Sequence, residues 1–66
     1  MKFKVIDPKT GRDMIGGEVD EGNALLMSVA PVDDSPDFRQ LEIGRSGLYE
    51  TTKAGEKTTM EILRTA

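Results

Sequence analysis

The longest apolar run of the chain, residues 24–30, lies near its middle and is interrupted only by Ser28. Every other segment alternates apolar with polar residues or has the composition of a turn, so this run is expected to pass through the core. A helix that began at Asn23 as its cap would have only about two turns. Its Ala, Leu and Met residues favour a helix, but its short length and lack of charge favour a buried strand. We therefore predict a strand over residues 24–30, with a short helix as the alternative.

The two interpretations of this run expose different side chains. Successive side chains of a strand point to opposite faces, so Leu25, Met27 and Val29 would face the core and Leu26 and Ala30 would face away from it. In a helix, Leu25, Leu26 and Val29 would share one inward face. The choice between strand and helix therefore decides whether Leu26 is available to a partner.

The rest of the sequence is typical of an all-β chain. Strands are also predicted over residues 2–6, 14–19, 41–43, 48–52 and 58–65. Turns that contain Pro, Gly or Asp separate these runs at intervals of about 8–12 residues. The expected fold is mainly β, as a small six-stranded antiparallel meander or a barrel of the SH3-like or OB-like kind. Ser35, Pro36 and Asp37 also predict one short helical turn near residues 35–41.

The size of the chain limits what it can bury. With 66 residues, it is expected to form a single small domain over residues 1–66. Such a domain buries only about 60% of its unfolded surface. The only aromatic residues are Phe3, Phe38 and Tyr49, and the absence of Cys excludes a disulfide. Because this core is thin, we expect a homo-oligomer in which sheet surface or sheet edges are buried between copies.

The residues that could carry chemistry are few. There is no His and no Cys, which removes the commonest general base and the commonest metal ligands. Asp33, Ser35 and Asp37 resemble the first ligands of a calcium loop, but Phe38 replaces the required Gly and Gly44 replaces the closing Glu. The sequence therefore predicts no catalytic set, no metal site, no cofactor and no small-molecule substrate, and we expect a protein that is not an enzyme.

Apolar residues on both faces of two segments point instead to protein binding. Leu26 and Ala30 oppose the predicted core face of residues 24–30, and Leu63 opposes Met60 and Ile62. A single layer of strands in so short a chain cannot cover both of its faces. We therefore expect a protein-interaction or assembly module that binds a protein partner, itself or both, through Leu26, Ala30 and Leu63. It would be self-associating or a small accessory or inhibitory protein, of the kind found in compact viral or mobile-element genomes.

The alternative function is a small barrel that binds single-stranded nucleic acid through basic and aromatic residues. The formal net charge of −3 and a pI of about 4.8 argue against a nucleic-acid partner. No apolar run approaches the roughly 18–20 residues of a membrane-spanning helix. The first residues lack the apolar stretch of a signal peptide, and with the absence of Cys this predicts a cytoplasmic location.

Overall fold

Alternating apolar residues near the two ends of the chain build the centre of a β-sheet. The computed structural model describes all 66 residues, 1–66. The elements, in chain order, are β1 (Lys2–Ile6), β2 (Val19–Asp20), a first 3₁₀ helix (Leu26–Ser28), β3 (Ala30–Val32), a second 3₁₀ helix (Phe38–Gln40), β4 (Ser46–Lys53) and β5 (Glu56–Arg64). The strands form one sheet in the order β2-β1-β5-β4-β3, and each neighbouring pair is antiparallel.

The mainly β class is confirmed, but the six strands and the barrel are not. The sheet has five strands and is open, with β2 at one edge and β3 at the other. β1 has the predicted bounds, and β4 contains the strand predicted over residues 48–52. β5 covers the strand predicted over residues 58–65 except for its last residue, Thr65. The second 3₁₀ helix lies within the range 35–41 that was predicted to hold one helical turn.

The hairpin of β4 and β5 is the longest pairing in the sheet. Eight residue pairs run from Ser46 opposite Leu63 to Lys53 opposite Glu56. Ala54 and Gly55 form the turn, with φ of 53° and 80°. A two-residue turn with positive φ at both positions matches the right-handed twist of the strands that it joins, and Gly55 adopts this conformation without steric cost.

One face of the sheet carries the core. Eight residues are buried, and all are apolar or aromatic: Phe3, Val5, Leu26, Phe38, Leu41, Tyr49, Met60 and Ile62. Five of them come from β1, β4 and β5, whereas Leu26, Phe38 and Leu41 come from the connections on either side of β3. The rings of Phe3 and Phe38 meet edge to face, with their centroids 5.2 Å apart. We call this side of the sheet the inner face.

The strand predicted over residues 24–30 is wrong. Residues 26–28 form a 3₁₀ helix, and β3 begins only at Ala30. The side chain of Asn23 accepts a hydrogen bond from the Leu25 N–H at 2.9 Å, and the Ser28 hydroxyl donates to the Leu25 carbonyl at 2.7 Å. These local bonds compete with sheet pairing and favour the turn. Met27, predicted to be in the core, is 64% exposed.

The predicted strands over 14–19 and 41–43 are also largely absent. The Asp13 carboxylate accepts hydrogen bonds from the N–H groups of Ile15 and Gly16, which turns the chain away from β1 after a single bridge. The same bonds hold the pKa of Asp13 below its ordinary value. After Leu41 the chain turns at once, because the Arg45 N–H bonds to the Glu42 carbonyl.

Candidate interaction surface

Four half-buried aliphatic side chains lie on the side of the sheet that faces away from the core, which we call the outer face. They are Ile6 in β1, Val32 in β3, Leu48 in β4 and Leu63 in β5. Three of them directly adjoin a fully buried residue in sequence, as Leu48 adjoins Tyr49 and Leu63 adjoins Ile62. Because side chains alternate along a strand, these neighbours point to opposite faces.

The strand register gathers these side chains into neighbouring rows. Ile6 lies opposite Glu61, Glu61 opposite Leu48, and Leu48 opposite Val32, so one row crosses four strands. In the adjacent row, Leu63 lies between its partners Lys4 and Ser46. Directly opposed side chains have Cβ atoms about 5 Å apart, so each row forms a continuous surface.

No second layer of this chain covers the outer face. The connections from β2 to β3 and from β3 to β4 send Leu26, Phe38 and Leu41 into the core on the inner face. Domains usually pack at least two layers of secondary structure, so that each apolar face is covered. The outer face therefore carries half-buried aliphatic side chains that no helix or second sheet covers. The most exposed large apolar side chains, Met27 at 64% and Ile43 at 65%, lie in the connections instead.

The charges of the outer face are balanced. The register places three basic and three acidic residues there: Lys2, Lys4, Lys57, Asp20, Glu50 and Glu61. Glu61 is held by the Ser46 hydroxyl, which donates to its Oε2 at 2.7 Å. Lys57 Nζ lies 4.0 Å from Glu50 Oε1 with 69% of its side chain exposed, so this ion pair contributes little to stability.

The edges of the sheet are less suited than its face to pairing with another chain. β2 has only two residues, and β3 has three with Pro31 at its centre. Proline has no N–H to donate and is confined to edges of a sheet. The Met14 N–H donates to the Val5 carbonyl at 2.8 Å, which covers part of the free side of β1. Short edges that contain proline resist strand addition.

The structure separates the three residues predicted for the interface. Leu63 is half-buried on the outer face, and Ala30 is exposed on the same face, opposite Glu50. Leu26 is only 1% exposed and belongs to the core, so its predicted place on a partner-facing surface is wrong. The reason is the 3₁₀ helix, which turns Leu26 inward.

Sequence reasoning missed Ile6, Leu48 and Val32 as members of this surface. The alternation of β1 and β4 contained a signal for two of them, since each follows or precedes a residue of the core face. The signal was incomplete because only the register shows that β1 and β4 lie on either side of β5. Their proximity to Leu63 depends on pairings between segments distant in sequence.

The acidic loop that follows β3 serves the fold. Asp37 caps the second 3₁₀ helix by accepting from the Arg39 N–H at 2.9 Å, and both carboxylate oxygens accept from the Arg39 guanidinium. These bonds lower the pKa of Asp37 to about 2. The Arg39 guanidinium also lies 5.4 Å from the centroid of the Phe38 ring, within the range of a cation–π contact.

Tyr49 fixes the same loop to β4. Its hydroxyl donates to the Pro36 carbonyl, and the Ser35 hydroxyl accepts from the Leu48 N–H at 2.9 Å. Burial raises the pKa of Tyr49 above its ordinary value. These bonds are what a structural tyrosine requires, because a buried hydroxyl without a partner is costly.

The one cavity is an open groove of about 280 Å³ between the first turn and β5. None of its lining residues is hydrophobic: Asp7, Pro8, Lys9, Lys57, Thr58 and Thr59. Small-molecule sites are usually concave and mostly apolar, which this groove is not. No group of three or more acidic side chains is placed to hold a metal ion.

No family model matches the chain, and neither a curated protein nor a solved structure shows significant similarity to it. Neither 3₁₀ helix has the length and apolar character needed to cross a lipid bilayer.

Proposed function

We propose that this chain is a non-catalytic protein-interaction or assembly module whose binding surface is the outer face of the sheet. One observation carries the proposal: the aliphatic side chains of Ile6, Leu48, Val32 and Leu63 lie on one face across four strands, and no helix or second sheet packs on it. Glu61 lies among them, between Ile6 and Leu48. Contiguous apolar patches rimmed by polar residues mark interaction sites. Lys4 and Glu50 supply polar neighbours at the margin of this group, and Glu61 supplies one within it.

The chemistry of the chain supports a binding role over a catalytic one. The carboxylates with a lowered pKa, Asp13, Glu21 and Asp37, bond to backbone N–H groups, to the N-terminus or to Arg39. These groups are tied up in turns and caps, whereas a general base needs access to a substrate. Tyr49 is occupied by its bond to Pro36. The proposal places this module in the cytoplasm, since its fold uses no disulfide.

Two features weigh against nucleic acid as the partner. All three aromatic side chains are at most 5% exposed, so none can serve as a stacking platform for bases. The six charged residues of the outer face also balance, whereas a phosphate backbone attracts a basic surface. Nucleic-acid binding is retained as an outcome that the following experiment would detect.

Site-specific photo-cross-linking in cells of the native host tests the proposal. A benzophenone amino acid replaces Leu63 on the outer face, and the matched control carries it at Thr10 in an exposed turn. We expect discrete protein adducts from position 63, either with this chain or with another protein, and none of them from position 10. Equal labelling from both positions, or adducts to nucleic acid, would refute the proposed function.

A further inference from the structure

We propose that the occupant of the outer face is a second copy of this chain, packed face to face about a two-fold axis along the Ile6–Leu63 diagonal. In this dimer, Lys4 of each copy pairs with Glu61 of the other. The inference rests on the proposed function, because it names the partner of the same surface. It is carried by the pattern of charge and by the dimensions of the face.

Four neighbouring side chains define a self-complementary block. Lys4 lies opposite Leu63 and Ile6 lies opposite Glu61, on the adjacent strands β1 and β5. Residues two apart on one strand are about 7 Å apart, and adjacent strands about 5 Å apart. The block is therefore a small rectangle. Ile6 and Leu63 lie at the ends of one diagonal, and Lys4 and Glu61 lie at the ends of the other.

Symmetry decides how two such blocks can meet. In a face-to-face two-fold contact, the axis lies in the interface, and each position meets its mirror position across that axis. An axis along the aliphatic diagonal brings Ile6 to Ile6 and Leu63 to Leu63, while Lys4 meets the partner's Glu61. The charged pair then occurs twice, once on each side of the apolar contact.

Other axes through the same face are less favourable. An axis along the row of Ile6, Glu61 and Leu48 would set Glu61 against its own symmetry copy, and like charges across an interface cost several kcal/mol. An axis parallel to the strands between β1 and β5 would set Lys4 against Leu63 and Glu61 against Ile6, which leaves both charges unpaired. The diagonal axis is the arrangement that pairs opposite charges and aliphatic groups at once.

The diagonal axis has a geometric consequence. It makes the strands of the two copies cross steeply, closer to the orthogonal than to the aligned class of sheet packing. Leu48 would lie over the aliphatic stem of the partner's Lys4, which can cover apolar surface while its ammonium reaches Glu61.

The size of the molecule sets how much of its surface a dimer contact would need. The molecule measures 32 × 25 × 23 Å, so the rectangle that encloses its broadest side has an area of about 800 Å². A standard protein interface buries about 800 Å² on each partner. A dimer of standard size would therefore need nearly the whole of one broad side of this chain, and the short edges β2 and β3, of which β3 contains Pro31, do not compete for the contact.

A charge exchange tests the inference. Sedimentation equilibrium is measured over a concentration series for the unaltered chain, Lys4→Glu, Glu61→Lys and the double variant. We expect the unaltered chain to dimerise, each single variant to raise the dimer dissociation constant at least about tenfold, and the double variant to restore it. Lys9→Glu is the control, because it makes the same charge change in an exposed turn and should leave dimerisation unaltered.

The outcomes separate this inference from the proposed function. A monomer at every concentration overturns the dimer, while discrete cross-links from position 63 to another protein would leave the proposed function standing. A dimer that the single variants do not weaken, or that the double variant does not restore, overturns the Lys4–Glu61 pairing. The near-ultraviolet circular dichroism of the buried Tyr49 verifies that each variant is folded.

A second measurement needs no substitution. In a mixture of isotope-labelled and unlabelled copies, intermolecular nuclear Overhauser effects should connect the Leu63 methyl groups of the two copies, and likewise those of Ile6. Intermolecular contacts confined to the sheet edges or to the 3₁₀ helices would overturn the arrangement even if a dimer forms.

Discussion

Gly47 shows how a single residue fixes the packing of the core. It lies two positions before Tyr49 on the inner face of β4, and a Cβ atom there would lie 2.9 Å from both Cε1 and the hydroxyl oxygen of Tyr49. The same atom would lie 3.1 Å from the Ser35 Cβ. The φ of Gly47 is not positive, so the requirement for glycine is steric and not conformational. The Tyr49 ring fills the space that a side chain at position 47 would occupy.

We therefore expect Gly47→Ala to destabilise the fold by about 1–3 kcal/mol, the usual cost of overpacking a core. Urea denaturation measures the change in the free energy of unfolding. Gly22→Ala is the matched control, because its added Cβ would meet only the Asp20 Oδ1 at 3.4 Å and its φ is not positive. A Gly47→Ala variant as stable as Gly22→Ala would contradict the packing described for Tyr49.

The carboxylate of Asp37 should make the free energy of unfolding depend on pH in the acidic range. Its pKa is lowered from 3.8 to about 2 by the hydrogen bonds from Arg39. A carboxyl whose folded pKa is depressed contributes stability above its unfolded pKa, and this contribution is lost as the pH falls through the folded value. The side chain is 42% exposed, so solvent screening limits the contribution to about 1 kcal/mol or less.

The variant Asp37→Asn keeps an oxygen that can accept from the Arg39 N–H but removes the charge. We expect it to be less stable than the unaltered chain at pH 6, and we expect this difference to shrink as the pH falls from about 4 to 2, as measured by denaturation at each pH. Glu56→Gln is the control, because it removes a carboxylate that makes no ion pair, at the first residue of β5. A difference for Asp37→Asn that stays constant from pH 6 to pH 2 would refute the role of its charge.

At the scale of an element, the first 3₁₀ helix decides which residues face inward. The apolar run has no charged residue to mark its exposed side, so its pattern fits a strand and a helix alike. Asn23 and Ser28 resolve this ambiguity through bonds to the backbone around Leu25. These bonds are local, but each contributes only about 1 kcal/mol. Composition alone therefore does not show that they outweigh the pairing of this run in a sheet.

Adjacent alanine substitutions test this assignment. Leu26→Ala should destabilise the protein by about 2–5 kcal/mol, because it empties a buried site. Met27→Ala should change stability by no more than about 0.5 kcal/mol, since Met27 is 64% exposed. Thermal or urea unfolding of both variants measures the difference. A strand over residues 24–30 with Met27 inward would give the reverse order.

For the whole molecule, the sequence predicted the parts of the sheet whose alternation is regular. β1 and the β4–β5 hairpin follow from this alternation, and so does the position of Leu63 on the opposite face of the sheet from Ile62. The strand predicted over 14–19 failed because the Asp13 carboxylate bonds the backbone ahead of it. The closed barrel failed because the two edge strands, β2 and β3, do not pair with each other. The outer face could not be assembled from sequence, since it depends on the order of β1, β5 and β4 across the sheet.

The same order leads to a prediction about the stability of the whole molecule. Only eight residues are buried in one copy, so covering the outer face should stabilise the native state appreciably. Anything that binds only the folded chain raises its melting temperature by mass action, and a second copy does so as its concentration rises. For a dimer of two chains of this size, we expect about 3–5 °C for each tenfold rise in concentration. Differential scanning calorimetry measures this shift.

Lys4→Glu provides the comparison for this measurement, because it should weaken the contact between copies while the core stays the same. Its melting temperature should change little with concentration and should equal that of the unaltered chain at high dilution. A melting temperature of the unaltered chain that does not depend on concentration would mean that its outer face stays uncovered by a second copy. In that case, the aliphatic side chains of the row from Ile6 to Val32 would require a different protein to cover them.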